Sequence, residues 1–187
     1  MTGIDLRSDC TRCAALCCVA LALDDPGMFG IEKEAGIPCP NLDERCACAI
    51  HVDREERGYR GCVVYDCLGA GQRVTQDFFQ GRSWKSDPSL LRPMCDAFSA
   101  VARAHKLLQL LREAGNLDLA DAARQALADL QHATESAGTS FETIAAIEDR
   151  AQRFLTGLRS YVRASNSDAS PDRQISDGPA FAGATPP

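Results

Sequence analysis

Apolar residues recur at helical spacing over the C-terminal half of the chain and lose that rhythm over the N-terminal half. Within residues 88–165, Phe98, Val101, Ala102, Leu108 and Leu111 share one helical face, and Leu107 and Leu110 widen it. Gly115-Asn116 is expected to end this helix. A second helix is predicted to start near Asp118 as N-cap, to bury Ala123, Leu127 and Leu130, and to stop near Gly138. Thr139-Ser140-Phe141-Glu142 reads as a capping box. It opens a third helix whose apolar positions are Phe141, Ile144, Ile147, Ala151, Phe154, Leu155, Leu158 and Val162. Short connections between three amphipathic segments predict a helical hairpin or antiparallel three-helix region.

Residues 1–84 show weak periodicity and many glycines. Their longest apolar stretch, Ala14 to Leu23, falls short of the roughly 18 residues that span a bilayer. Residues 166–187 are rich in Ser, Asp, Gly, Ala and Pro and are expected to be a disordered tail. The expected organisation is therefore an N-terminal module (1–84), a helical region (88–165) and a tail, a mainly α protein with an irregular first part.

Charge narrows the partners. The chain of 187 residues carries a net charge of −6, and up to Cys67 it holds seven Lys+Arg against twelve Asp+Glu. Phosphate contacts require a positive patch, so nucleic acid is disfavoured. No membrane partner is expected. Met1 to Asp9 lacks a basic segment followed by an apolar one, so no secretory signal is expected and a reducing cytoplasm is the predicted compartment.

Cysteine changes the picture most. Nine of the ten cysteines lie between Cys10 and Cys67, opening with C-T-R-C-A-A-L-C-C. In a reducing compartment this density points to metal rather than disulfides. On one continuous helix capped by Ser8 or Asp9, Cys10, Cys13 and Cys17 would lie within about 60° of each other, with Cys18 to one side. Adjacent cysteines rarely bridge each other. Four thiolates suit structural zinc and an iron–sulfur cluster equally, and nine thiols suffice for one site with spares or for two.

The run C10-x2-C13-x3-C17-C18, then C39-P-N-L, C48-A-I-H and R57-x4-C62, resembles the YkgJ-type cysteine-cluster family. That family is described as zinc- or iron-chelating. The resemblance covers about residues 8–67 and implies Cys10, Cys13, Cys17, Cys18, Cys39, Cys48 and Cys62 as metal ligands. A longer stretch, to about Trp84, is similar to a leader segment found ahead of pentapeptide repeats in some bacterial proteins; it adds Cys67, and no such repeat follows. The proline usual before the late cysteine is absent from R-G-Y-R-G-C. Some relatives of the module occur in protein lysine methyltransferases, but G69-A-G71 reads as a tight turn rather than a nucleotide loop.

Cys46 is expected to be an extra thiol, and Cys95 a buried small apolar residue. His51 stands evenly between ligand and loop surface. His105 and His132 are expected at a surface or interface. Arg45 or Arg57 could offset thiolate charge. The expected function is metal binding, as an iron–sulfur cluster or zinc, in a structural, redox or sensing role. The alternatives are a metal-dependent enzyme of unknown substrate, for which no acid–base constellation is visible, and a zinc-stapled interaction module whose helices dock a protein partner.

Overall fold

The computed structural model describes residues 3–159. Val162 and the predicted tail lie outside the described residues. The described chain is mainly α, with helices α1 (Leu16–Ala20), α2 (Arg60–Val64), α3 (Ala70–Arg73), α4 (Leu91–Ala114), α5 (Asp121–Glu135) and α6 (Phe141–Gly157). A π turn, Val74–Phe78, continues α3, and a 3-10 turn, Pro88–Leu90, leads into α4. The only β-type pairings among the described residues are two isolated bridges, Leu23 with Lys33 and Leu42 with Cys48.

Helix α4 is 24 residues long and belongs to two cores. Its N-terminal half sends Met94, Phe98 and Val101 against Leu16 of α1, Ala70 of α3 and Val74 of the π turn. Its C-terminal half packs Ala104, Leu107 and Leu111 against Leu127 and Leu130 of α5 and Ile144, Ile147 and Ala151 of α6. The apolar stripe read from the sequence is thus divided along its length between two sets of partners. A third, smaller cluster of Leu23, Ile50 and Tyr59 lies within the cysteine-bearing loops.

The helix ends depart from the sequence pattern by short steps. Helix α4 stops at Gly115 as expected. Helix α5 starts at Asp121 rather than near Asp118, with Ala120 as an N-cap that makes no side-chain bond. Leu119 is buried in the core just before it, which holds that stretch outside the helix. Helix α6 is capped by Ser140, whose Oγ accepts from the Thr143 N–H at 3.2 Å. The cap falls one residue beyond Thr139, so Glu142 is not the box partner, and Phe141 remains exposed.

His105 corrects the surface expectation. It is buried on α4, its Nδ1–H donates to the Leu68 carbonyl at 2.6 Å, and its Nε2 accepts from Arg73 at 3.2 Å. Arg73 also donates to the Glu135 carbonyl at 2.8 Å, joining α3 to the end of α5. His132 is exposed.

Candidate metal centre

The first cysteines do not share one helix. Asp9 caps a 3-10 turn, Cys10–Arg12, by accepting from the Thr11 N–H. The chain then extends through Cys13 and reverses at Ala15, which has φ 56°, before α1 begins. The cause is tertiary. The Ala14 N–H donates to Thr75 Oγ at 3.0 Å, and Trp84 Nε1 donates to the Ala14 carbonyl at 2.7 Å. Backbone groups that a continuous helix would pair internally are taken by residues some sixty or seventy positions away. The Leu16 N–H points at Cys13 Sγ, 3.4 Å away.

This turn brings Cys10, Cys13 and Cys17 together with Cys67 around a cavity of about 20 Å³, backed by Gly71 and Phe98. Ser8 Oγ lies 3.1 Å from Cys67 Sγ. Gly69, with φ +77°, makes the turn that opens α3.

The remaining thiols arrive on loops. The Cys39 N–H donates to the Cys18 carbonyl at 3.0 Å, and the Gly36 N–H to the Val19 carbonyl at 2.9 Å, so this loop runs beside α1. Asp43 Oδ1 accepts from the Arg45 and Ala47 N–H groups, both at 2.8 Å, and folds the chain sharply around Cys46, which has φ 61°. Cys48 sits in the bridge to Leu42, and Cys62 on α2.

All nine of these thiols line one open-sided cavity of about 380 Å³. The eight predicted ligands, Cys10, Cys13, Cys17, Cys18, Cys39, Cys48, Cys62 and Cys67, are therefore on a common wall, and Cys46 joins them. Cys95 lies apart, buried on α4. None of the ten cysteines forms a disulfide. Among the described residues, no three His, Cys, Asp or Glu side chains gather at the spacing of a single ion's shell. The thiols surround a space rather than a point.

Burial raises four of these thiols, Cys10, Cys13, Cys48 and Cys62. The Cys13 thiol is pushed up to about 11 by burial, opposed by the Leu16 N–H. Cys62 is pushed up to about 11 by burial and then by Cys18, Cys39 and Cys48. Cys17 and Cys18, with sulfurs 3.9 Å apart, share a hydrogen bond. That bond raises Cys17 and brings Cys18 down to about 7, aided by the charges of Lys33 and Arg54. Cys10, Cys13, Cys17, Cys48 and Cys62 are therefore held in the thiol form.

Arg54, not Arg45 or Arg57, reaches this wall. It is held by the carbonyls of His51 at 2.9 Å and Cys62 at 3.0 Å, whereas Arg57 lies 3.9 Å from Asp53 on the exposed side. Lys33, not singled out from the sequence, is buried, and its ammonium donates to the carbonyls of Val19, Leu21, Glu34 and Ile37. His51 is exposed but lies along the cavity wall. The Nδ2 amide of Asn41, also on the wall, is buried and finds no acceptor among the described residues.

The donor set fits a thiophilic metal. Sulfur ligands dominate the wall, and a backbone N–H and an orphaned amide N–H lie among them, the groups that hydrogen-bond metal-bound sulfur. No helix of the described residues is long and apolar enough to cross a membrane.

No protein-family profile matches the chain, and no solved structure does. Over 186 residues it is 33% identical to the uncharacterized protein YybG of Bacillus subtilis (strain 168), an alignment covering 96% of this chain and 67% of that protein. The chain accordingly belongs to the family of YybG.

Proposed function

We propose that this is a cytoplasmic metal–thiolate protein that holds an iron–sulfur cluster or zinc, in a structural, redox or sensing role. One observation carries the reading: nine thiols from separate stretches of an acidic chain converge on one cavity. Thiols crowded from distant segments onto one wall are the donor set of a thiophilic metal, which displaces their protons as it binds. The resemblance to YkgJ-type cysteine clusters supports the same reading.

Cys10, Cys13, Cys17, Cys18, Cys39, Cys48, Cys62 and Cys67 are the ligands assigned, with Cys46 as the spare thiol. A bound cluster would supply one-electron chemistry, and zinc would supply a cross-link. The chain's own groups do the rest. Arg54 and Lys33 offset thiolate charge, the Leu16 N–H donates to Cys13, and the Asn41 amide is free to donate into the cavity. Elemental analysis of protein purified without oxygen and without a metal-binding tag tests the reading. Iron in multiples of about four per chain means cuboidal clusters. Zinc at about one or two per chain means closed structural sites. The absence of both metals overturns the proposal.

A further inference from the structure

Nine thiols exceed what one four-coordinate centre takes, and α1 divides them. Cys17 and Cys18 are consecutive on that helix, so their side chains leave it about 100° apart. On the Cys17 side lies the small cavity shared by Cys10, Cys13, Cys17 and Cys67; Cys18, Cys39, Cys48 and Cys62 do not reach its wall. The strongest thiol neighbours of Cys13 are Cys67 and Cys10; that of Cys10 is Cys67, followed by Cys18 across the helix. On the Cys18 side, Cys39 is hydrogen-bonded to the Cys18 backbone. Cys48 has Cys18 and Cys39 as its strongest thiol neighbours, and Cys62 has Cys18, Cys39 and Cys48. The division rests on the wall of the smaller cavity and on the turn of α1 between Cys17 and Cys18, whose own sulfurs, 3.9 Å apart, stand at the boundary.

We propose that the cavity contains two adjoining four-thiolate sites, Cys10, Cys13, Cys17 and Cys67 against α3 and α4, and Cys18, Cys39, Cys48 and Cys62 in the loops. Each takes a thiophilic metal centre, a zinc ion or an iron–sulfur cluster, its sulfurs drawing in from the wider spacing they have here, and the adjacent pair Cys17–Cys18 gives one ligand to each. The inference rests on the metal–thiolate reading and adds its partition. Each ligand gives up its thiol proton as the metal–sulfur bond forms. Lys33 and Arg54 both act on Cys18, so the second site carries more of the compensating charge. The first site abuts Phe98 and so is joined to the helical core.

The test is iron, sulfide and zinc content of the full chain and its variants, purified without oxygen, with circular dichroism to confirm folding. Cys67→Ser and Cys39→Ser should each lose about half the metal, as equal sites require. Combining them should remove nearly all of it. Adding Cys13→Ser to Cys67→Ser should remove no more than Cys67→Ser alone. Complete loss in either folded single variant overturns the partition. Intact-protein mass spectrometry of the metal-free wild type titrated with zinc alone decides the matter if a variant fails to fold. About two zinc ions per chain are expected. A single zinc overturns the partition and leaves the metal–thiolate reading standing, whereas no uptake of zinc together with no iron in the isolated protein overturns both.

Discussion

Gly71 has no room for a side chain, because a Cβ there would stand 2.5 Å from Cys13 Sγ. Gly71→Ala should therefore displace that sulfur, at an overpacking cost of about 1–3 kcal/mol. Thermal unfolding would register the cost, and elemental analysis a loss of metal; unchanged metal content would show that Cys13 is not a ligand. His105 makes a different prediction. Burial first, and then the Arg73 and Arg112 charges, bring it down to about 4, while its bond to the Leu68 carbonyl opposes the shift. The unfolded chain, with an ordinary histidine near 6.5, binds the proton more readily between those two values. Stability from neutral His105 is thus complete above about pH 6.5 and is lost progressively as pH falls towards 4, by roughly 3 kcal/mol at most. Denaturant unfolding of wild type and His105→Gln across that window should show the difference between them shrinking on acidification. A constant difference would mean that His105 is not held neutral.

Helix α4 couples the two halves of the protein, and its positions separate two kinds of damage. Phe98 is fully buried and backs the first thiol group, whereas Ile144, 1% exposed, packs between α4, α5 and α6. Phe98→Ala should cost about 3–5 kcal/mol and Ile144→Ala about 2–5 kcal/mol. Only the first should also lower metal content at temperatures where the fold persists. Equal metal loss in both variants would mean that the centre responds to global stability rather than to the Phe98 contact. The Arg73 bridge from His105 to the end of α5 gives the coupling a second, polar route.

For the molecule as a whole, the cysteine-bearing segment has little apolar core of its own. Its loop cluster is Leu23, Ile50 and Tyr59, with Phe29 and Ile31 partly buried beside it. Thiolate–metal bonds are therefore expected to supply much of its order, in the manner of small metal-organised domains. Cys13→Ser, or a strong chelator, should lower metal content and raise hydrogen exchange over residues 10–67, while α5 and α6 keep their protection. Normal metal content with unchanged exchange in Cys13→Ser would sink the assignment of Cys13 and the organising role of the metal together.

The sequence by itself determined the three long helices, because apolar residues spaced at 3.6 can hide from water only on a helix face, and that pattern is local. It also determined the acidity and the crowding of thiols. Which thiols meet was decided only in three dimensions. The helix expected from Cys10 is broken where Thr75 and Trp84 capture the backbone of Ala14, a long-range competition that no local spacing records. The same holds for Arg54 at the wall, for Lys33 beneath it and for the buried His105. Their partners are backbone carbonyls, which every residue carries and the residue pattern therefore leaves unmarked. Periodicity is a property of neighbours along the chain. The grouping of thiols depends on loop closure, and closure depends on contacts between residues far apart in sequence.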